Sequence, residues 1–199
     1  MPGRGEGVFM IGRHEAVTRS YPIPGQTWPS ELCWLFDNIG GANRVHVEVG
    51  VYCGRSLFAS VGGMERSTAY GVDVEKTSFP NQEMPSDDWV NAVRMATVNA
   101  IRSCSDTAIQ LNLSGSLSAA RSIRTLHPEG LDSVFIDGSH EYADVVADIQ
   151  EWKPLLKCGG LLCGHDYSTA HIGVMDAVNE LCPGFQVAQG TRIWFVRVN

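Results

Sequence analysis

The stretch Glu48-Val-Gly50-Val-Tyr52-Cys-Gly54-Arg-Ser56 decides how this chain folds. Residues 44–50 (RVHVEVG) have the β-branched, apolar pattern of a buried strand, and residues 55–63 have the spacing of a helix. Gly50 and Gly54 allow the backbone to turn tightly and to approach a ligand without a Cβ atom in the way. The stretch therefore predicts a strand, a tight turn and a helix, as at the start of a ligand-binding α/β domain.

The remainder of the chain repeats this alternation of strand and helix. Strands are predicted at 69–74, 108–113, 132–137 and 161–164, and helices at 89–104, 117–126, 141–156 and 172–181. Residues 185–187 and 191–198 read as a closing hairpin. Such an alternation is typical of a mostly parallel sheet with helices on both faces, so we expect a Rossmann-like three-layer α/β/α sandwich.

The first 43 residues do not fit this repeat. Residues 28–39 have the pattern of an amphipathic helix, and the Pro- and Gly-rich residues before them read as an arm. We therefore divide the chain into an N-terminal arm and helix at 1–43, acting as a lid or an oligomer contact, and an α/β domain at 44–199. A homodimer formed through this arm is one prediction.

The composition of the chain limits the classes of partner that we expect it to bind. With a formal net charge of −7 and no basic stripe, the chain of 199 residues is not expected to bind nucleic acid, and a small-molecule acceptor is favoured. The six cysteines are scattered without metal-site spacing, which indicates reduced thiols. No segment has the apolar core of a signal peptide or the length to span a bilayer, so we predict a cytoplasmic protein without membrane contact.

The turn also indicates what kind of ligand it serves. Its glycines are spaced GxxxG, whereas dinucleotide sites use GxGxxG, and the carboxylate of Glu48 suits a cationic ligand better than a pyrophosphate. Asp73 ends the second predicted strand, where an acidic side chain accepts hydrogen bonds from ribose hydroxyls. Together these residues predict a site for a nucleoside that carries a positive tail. The structural alternative is an ordinary tight turn with Asp73 as a helix cap.

Four stretches extend this pattern: EVGVYCGRS (48–56), YGVDVE (70–75), NLSGSLSAA (112–120) and VFIDGSHEYADVVADIQEWKPLLKCGGLLCGHDY (134–167). In this order they resemble the class I S-adenosylmethionine-dependent methyltransferases, in the branch with IDGxHxY and HDY motifs that includes sugar and antibiotic O-methyltransferases. The resemblance covers about residues 44–198. It implies a seven-stranded sheet whose last strand is antiparallel, and S-adenosylmethionine as the cofactor.

The resemblance also implies roles for single residues. It puts Glu48 and Gly50 near the methionine part of the cofactor, Asp73 on the ribose, residues 114–116 near the adenine and Asp137 beside the sulfonium. The candidate cofactor-binding residues are Glu48, Gly50, Tyr52, Gly54, Ser56, Asp73, Ser114, Gly115, Ser116 and Asp137.

The candidate catalytic residues are His140, Asp137 and His165, which follow two neighbouring predicted strands. His140 could take a proton from the acceptor, because an imidazole titrates near physiological pH; its structural alternative is a helix cap. In related sugar and antibiotic O-methyltransferases, carboxylates at these strand ends hold a divalent cation. Carried over, Asp137, His165 and Asp166 are candidate ligands for Mg²⁺ or Mn²⁺. The histidine replaces a frequent acidic residue and favours the softer ion.

We therefore expect this protein to methylate an oxygen atom of a small hydroxylated acceptor, with assistance from a divalent metal ion. An oxygen acceptor is favoured because IDGSHEY occupies the place of the DPPY tetrapeptide that many amine methyltransferases carry. Two alternatives are an NAD(P)-dependent oxidoreductase on a similar fold, which the missing GxGxxG disfavours, and an inactive nucleoside-binding protein.

Overall fold

A computed structural model describes residues 11–74 and 85–199. The helices are α1 (Arg13–Ser20), α2 (Pro29–Ile39), α3 (Arg55–Gly62), α4 (Asp87–Arg102), α5 (Ser116–Leu126), α6 (Tyr142–Trp152) and α7 (Ile172–Leu181). The strands are β1 (Gly41–Ala42), β2 (Val45–Val49), β3 (Met64–Glu65), β4 (Thr68–Val72), β5 (Ala108–Asn112), β6 (Leu131–Ile136), β7 (Leu156–Gly164), β8 (Gln186–Val187) and β9 (Trp194–Arg197). Predictions that concern residues 1–10 and 75–84 lie outside the described residues.

The main sheet has seven strands in the order β5-β4-β2-β6-β7-β9-β8. Strands β5, β4, β2, β6 and β7 pair in parallel, and β9 runs antiparallel to both β7 and β8. This confirms the predicted mostly parallel, seven-stranded sheet with an antiparallel last strand. Strands β1 and β3 form a separate parallel pair that the sequence did not reveal.

Two hydrophobic cores lie on opposite faces of the sheet and make three layers. One contains side chains of α5, α6 and α7, packed on Val47, Val49 and Val72. The other contains side chains of α1, α2, α3 and α4, including Ala16 and Leu35. The described part of the N-terminal segment therefore shares a core with the α/β domain, and it includes helix α1, which the sequence analysis missed.

Two predicted boundaries need correction. The helix predicted to reach residue 156 ends at Trp152, and a 3₁₀ turn at Lys153–Leu155 leads directly into the long strand β7. Gly159 and Gly160 lie inside this strand rather than before it. Glycine is disfavoured within strands, which explains the error. Here the pairing of β6 with β7 shifts register between Leu131 and Ser133, and Gly159 adopts a φ of 77° in the same region.

The apolar spacing of residues 141–156 predicts one face towards the core (Tyr142, Val145, Val146, Ile149, Trp152 and Leu156) and one towards solvent (Asp144, Asp148 and Glu151). The structure of α6 departs from this stripe at Tyr142 and Asp148. Val145, Ile149 and Trp152 are buried as expected. Tyr142, expected to pack in the core, is 42% exposed, and its hydroxyl donates to Glu180. Asp148, expected on the solvent side, is only 7% exposed. A polar residue is thus enclosed where the helix passes the site.

The parallel strands bring their carboxyl ends to one edge of the sheet, where ligands bind in open α/β folds. The residues just after β4, β2, β6 and β7 meet there, starting with Asp73, Gly50, Asp137 and His165. Within the described ranges, no helix combines the length and the apolar character required to cross a bilayer.

Candidate active site

The glycine turn brings the end of β2 close to its neighbour in the sheet. Gly50 and Gly54 have φ values of 89° and 90°, in the left-handed region that favours glycine. A Cβ atom on Gly50 would lie 2.1 Å from the carbonyl oxygen of Asp137, and one on Gly54 would lie 2.9 Å from Cγ2 of Thr97. The predicted turn is present, and a Cβ atom at either glycine would meet protein atoms.

Glu48 lies behind the site. Its side chain has no accessible surface, and Ser56 Oγ donates a 2.9 Å hydrogen bond to its Oε1. Burial raises the pKa of Glu48 well above its ordinary value, and the nearby charges of Asp137 and Asp73 add to this. Glu48 lines neither of the two cavities described below, and its hydrogen-bond partner Ser56 lines the smaller one. Direct contact between Glu48 and the cofactor stays a prediction.

Asp73 is held at the edge of the site by an arginine that the sequence analysis missed. Its Oδ2 accepts hydrogen bonds from Tyr52 N at 2.6 Å and from Arg94 Nη2 at 2.9 Å. Arg94 is 1% exposed, and its Nε also donates to the carbonyl of Tyr52 at 2.6 Å. This clamp fixes the glycine turn to the end of β4. Its only sequence signal is a cation on the apolar side of a helix.

A cavity of about 560 Å³ opens between these strand ends, within the usual range for a small-molecule site. The predicted cofactor residues on its wall are Gly50, Tyr52, Asp73, Ser114, Ser116 and Asp137. Gly115 does not line it and lies between the two serines, as the N-cap of α5. Asp148 also lines this cavity, and burial raises its pKa to about 6. The sequence analysis missed this residue.

A second, smaller cavity of about 60 Å³ adjoins the first. The predicted catalytic and metal-binding residues Asp137, His140, His165 and Asp166 all line it, together with residues 24–27 of the loop between α1 and α2. The two cavities share Gly50, Tyr52, Asp137, Gly138 and His140. A ligand in the larger cavity and a ligand in the smaller one would therefore meet beside Asp137 and His140.

The polar groups of the smaller cavity form one connected cluster. His140 Nε2 lies 2.9 Å from Asp166 Oδ2. His165 Nδ1 lies 3.3 Å from Asp166 Oδ1 and 3.6 Å from Asp137 Oδ1. Asp166 has a φ of 59°, an uncommon conformation for a non-glycine residue. The structure thus brings all four predicted residues together.

Three further residues complete the cluster without having been predicted. Arg192 Nη1 donates to Asp166 Oδ1 at 2.9 Å, and the ring centroid of His171 lies 4.1 Å from that of His140. Glu31, on α2, has Oε2 at 3.0 Å from His165 Nε2. These residues come from the two ends of the chain, outside the motifs, so local patterns gave no signal for them.

The cluster balances its buried charges. Burial raises the pKa of Asp137 to about 7, although the positive charge of His165 opposes this. Burial lowers the pKa of His165, but Asp137, Asp166 and Glu31 outweigh it and bring the pKa to about 10. Burial would raise the pKa of Asp166, yet its hydrogen bonds to His140 and His165 hold it well below the ordinary value. The hydrogen bond to Asp166 in turn raises the pKa of His140.

The donor set fits a divalent cation. One ligand atom each from Asp137, His165 and Asp166 lie within 4.8 Å of one another. Two carboxylates and one imidazole suit Mn²⁺ better than Mg²⁺, which prefers oxygen ligands alone. The raised pKa of His165 favours its protonated form, whose positive charge offsets the carboxylates, and a bound cation would take over that role.

A mostly parallel sheet of this order, with adjoining cavities at its carboxyl edge, defines a Rossmann-like α/β domain with a small-molecule site at that edge. A family model described as "Methyltransferase domain" matches residues 47–167, which is more than half of the chain. The chain belongs to this family and is a class I S-adenosylmethionine-dependent methyltransferase. This membership decides against the oxidoreductase alternative. A search of curated proteins gave no match.

Solved structures share the fold at low sequence identity. CalS11, a TDP-rhamnose 3'-O-methyltransferase of calicheamicin biosynthesis, has a TM-score of 0.58 and 13% identity over 92% of this chain and 93% of that chain. The O-methyltransferase TomG from Streptomyces achromogenes, in complex with S-adenosylmethionine, has a TM-score of 0.61 and 10% identity over 94% and 89%. The precorrin 8w decarboxylase of Methanobacterium thermoautotrophicum has a TM-score of 0.59 and 17% identity over 89% of this chain and 95% of that chain. At such identities the likeness establishes the fold alone.

Proposed function

We propose that this methyltransferase binds S-adenosylmethionine in the larger cavity and transfers its methyl group to a hydroxyl oxygen of a small acceptor in the smaller cavity. The observation that carries the proposal is the wall that the two cavities share at Asp137 and His140. A donor in one cavity and an acceptor in the other would meet beside these two residues, as in-line displacement requires. The names of CalS11 and TomG, both O-methyltransferases, support the choice of oxygen.

His140 is the proposed general base. With its Nε2–H donated to Asp166 Oδ2 at 2.9 Å, the neutral imidazole keeps its lone pair on Nδ1, which accepts the acceptor's hydroxyl proton. The oxygen forms a bond to the methyl carbon as the bond from that carbon to sulfur breaks. The products are the methyl ether, S-adenosylhomocysteine and a protonated His140, so charge and atoms balance.

Asp137, His165 and Asp166 would hold the divalent cation. When bound there, such an ion orients the acceptor's oxygens and lowers the pKa of its hydroxyl. Asp73, Ser114 and Ser116 line the larger cavity and bind the cofactor there, whereas Ser56 lines the smaller one. The loop at 24–27 closes the acceptor side, so it is the proposed source of acceptor selectivity. Pairing of two copies through the N-terminal arm and a cytoplasmic location remain predictions.

Two measurements test this proposal. Titration calorimetry should detect binding of S-adenosylmethionine and competition by S-adenosylhomocysteine, and labelled methyl groups should be transferred to members of a panel of hydroxylated compounds. His140→Gln should lower kcat by about 10²- to 10⁴-fold with little change in cofactor affinity. His14→Gln, at an exposed position, is the matched control.

The outcomes separate the alternatives. Absence of cofactor binding would remove the proposal, and transfer to amines alone would change the acceptor atom. Cofactor binding without transfer to any compound would favour the inactive nucleoside-binding protein. Activity that persists in a chelator would show that His140 acts without a cation.

A further inference from the structure

Glu31 is a buried carboxylate whose position behind the metal-binding residues needs an explanation. It lies in the first turn of α2, is 2% exposed, and accepts hydrogen bonds from Trp28 N at 2.8 Å and Arg192 N at 3.0 Å. The hydrogen bond from Trp28 N caps helix α2, but this capping role explains only one of the contacts that the carboxylate of Glu31 makes. Its Oε2 also lies 3.0 Å from His165 Nε2, 2% exposed like Glu31 itself. Capping a helix does not require that third partner.

The orientation of the His165 ring explains the contact between Glu31 and His165. One ring nitrogen, Nε2, faces Glu31, and the other, Nδ1, faces Asp137 and Asp166. A neutral imidazole carries one proton, and Glu31 Oε2, 3.0 Å from Nε2, attracts that proton to Nε2 by its charge, although the contact is too bent to meet hydrogen-bond criteria. The lone pair then lies on Nδ1, directed at the two other candidate metal ligands. Histidines that bind metals nearly always donate their second N–H to such an outer acceptor.

We propose that Glu31 is the positioning residue of the metal centre: it fixes the tautomer and orientation of His165 so that Nδ1 binds the divalent cation with Asp137 and Asp166. The inference rests on the metal-assisted part of the proposed function. It makes helix α2 a component of the active site, although α2 lies outside residues 47–167, the span of the methyltransferase family match. Glu31 itself touches neither the cation nor the acceptor.

The direct test measures the affinity for Mn²⁺ in the presence of S-adenosylhomocysteine, by the electron paramagnetic resonance signal of the free ion. Glu31→Gln should bind Mn²⁺ about 10- to 100-fold more weakly than the unmodified protein. Asp37→Asn is the matched control, because it removes a carboxylate from the same helix that pairs with Arg13 at the surface. Its affinity for Mn²⁺ should change by less than about twofold, as for a remote surface charge.

A second background separates positioning from a structural role. His165→Asp replaces the imidazole by a carboxylate that Glu31 cannot orient through an N–H group. In that background, Glu31→Gln should no longer weaken Mn²⁺ binding, whereas damage to α2 would weaken it equally in both. Unchanged affinity for Mn²⁺ in Glu31→Gln alone, or an equal loss in both backgrounds, would overturn the inference.

The unmodified protein provides a readout that does not depend on any variant folding. Electron spin-echo modulation of bound Mn²⁺ should contain the coupling of an imidazole nitrogen, and its absence would overturn the inference. Failure of the proposed function is a different result: Mn²⁺ would bind with the expected dependence on Glu31, yet no hydroxyl compound would be methylated. Methyl transfer by a protein that binds no Mn²⁺ would overturn the inference and leave the methyltransferase assignment intact.

Discussion

Glu48 and His46 show how burial sets the chemistry of single residues. Both side chains come from β2, have no accessible surface, and face away from Val47 and Val49, which pack in the core on the opposite side of the sheet. Each has a hydroxyl partner: Ser56 Oγ for Glu48 and Ser133 Oγ, at 2.9 Å, for His46 Nδ1. Burial favours the neutral form of both, raising the pKa of Glu48 and lowering that of His46 to about 3.

The first prediction concerns Glu48→Gln, which mimics the protonated side chain. Because the folded-state pKa of Glu48 is raised, its contribution to stability is present at low pH and is lost as pH rises above 4.5, the ordinary pKa of a glutamate. The variant lacks this loss. As pH rises, its free energy of unfolding should therefore increase relative to that of the unmodified protein, by up to about 1.4 kcal/mol per pH unit. Urea unfolding between pH 4.5 and 8 measures this difference.

Glu15→Gln, at an exposed ion pair with Arg19, should show no such trend and serves as the control. Cofactor affinity should also change little in Glu48→Gln, because Glu48 lines neither cavity. A loss of more than about tenfold in affinity, about 1.4 kcal/mol, would mean that the carboxylate contacts the cofactor.

The second prediction concerns His46. Its folded-state pKa of about 3 lies below the ordinary 6.5, so its contribution to stability is full above pH 6.5 and is lost as pH falls towards 3. At pH 5 the loss is about 2 kcal/mol. His46→Gln should flatten the acid side of the stability profile, measured by urea unfolding, and His14→Gln should not. Parallel profiles for His46→Gln and the unmodified protein would contradict this assignment.

At the level of elements, two turns at the same edge of the sheet differ in whether their conformation and surroundings require glycine. Gly50 follows β2 with a positive φ and has the backbone of Asp137 at its Cα. Gly115 precedes α5 with a φ of −58°, and a Cβ atom there would meet nothing within 4 Å. Both occur in stretches that suggested a cofactor site, yet only Gly50 is required by its surroundings.

The third prediction compares alanine at these two turns. Gly50→Ala should push β2 away from β6, lower the free energy of unfolding by several kcal/mol, roughly 2–5 as for other overcrowded or strained sites, and abolish cofactor binding. Gly115→Ala should leave stability within about 1 kcal/mol, since an allowed backbone accepts the methyl group. Thermal unfolding and calorimetric titration with S-adenosylhomocysteine measure both effects. Equal behaviour of the two variants would contradict the geometry.

On the scale of the whole molecule, the active site joins parts that are far apart in sequence. Arg192 N donates to Glu31 Oε1 across 161 residues, and Arg55 holds the α1–α2 loop through hydrogen bonds from Nε to Ile23 O and from Nη1 to Thr27 O. The N-terminal helices share a core with α3. The described part of residues 1–43 is thus built into the molecule on the acceptor side of the site.

The fourth prediction tests this integration. Leu35 of α2 is fully buried in the shared core, so Leu35→Ala should lower the free energy of unfolding of the entire protein by about 2–5 kcal/mol in a single transition. Leu126→Ala, at a leucine that is 60% exposed, should cost much less. Circular dichroism during urea unfolding gives both values. A separate early transition for the N-terminal helices would mean that they form an independent unit.

The sequence by itself determined the alternation of strands and helices, the parallel sheet and the residues at its carboxyl edge. These features follow from periodicity and turn chemistry within about ten residues, so local pattern contains them, and Asp137, His140, His165 and Asp166 were found in this way. Only the tertiary structure decided that Glu48 is buried with a raised pKa, that Arg94 clamps Asp73, and that Glu31, His171 and Arg192 complete the cluster. Burial and contacts between distant segments arise when the layers pack, and no local pattern encodes them.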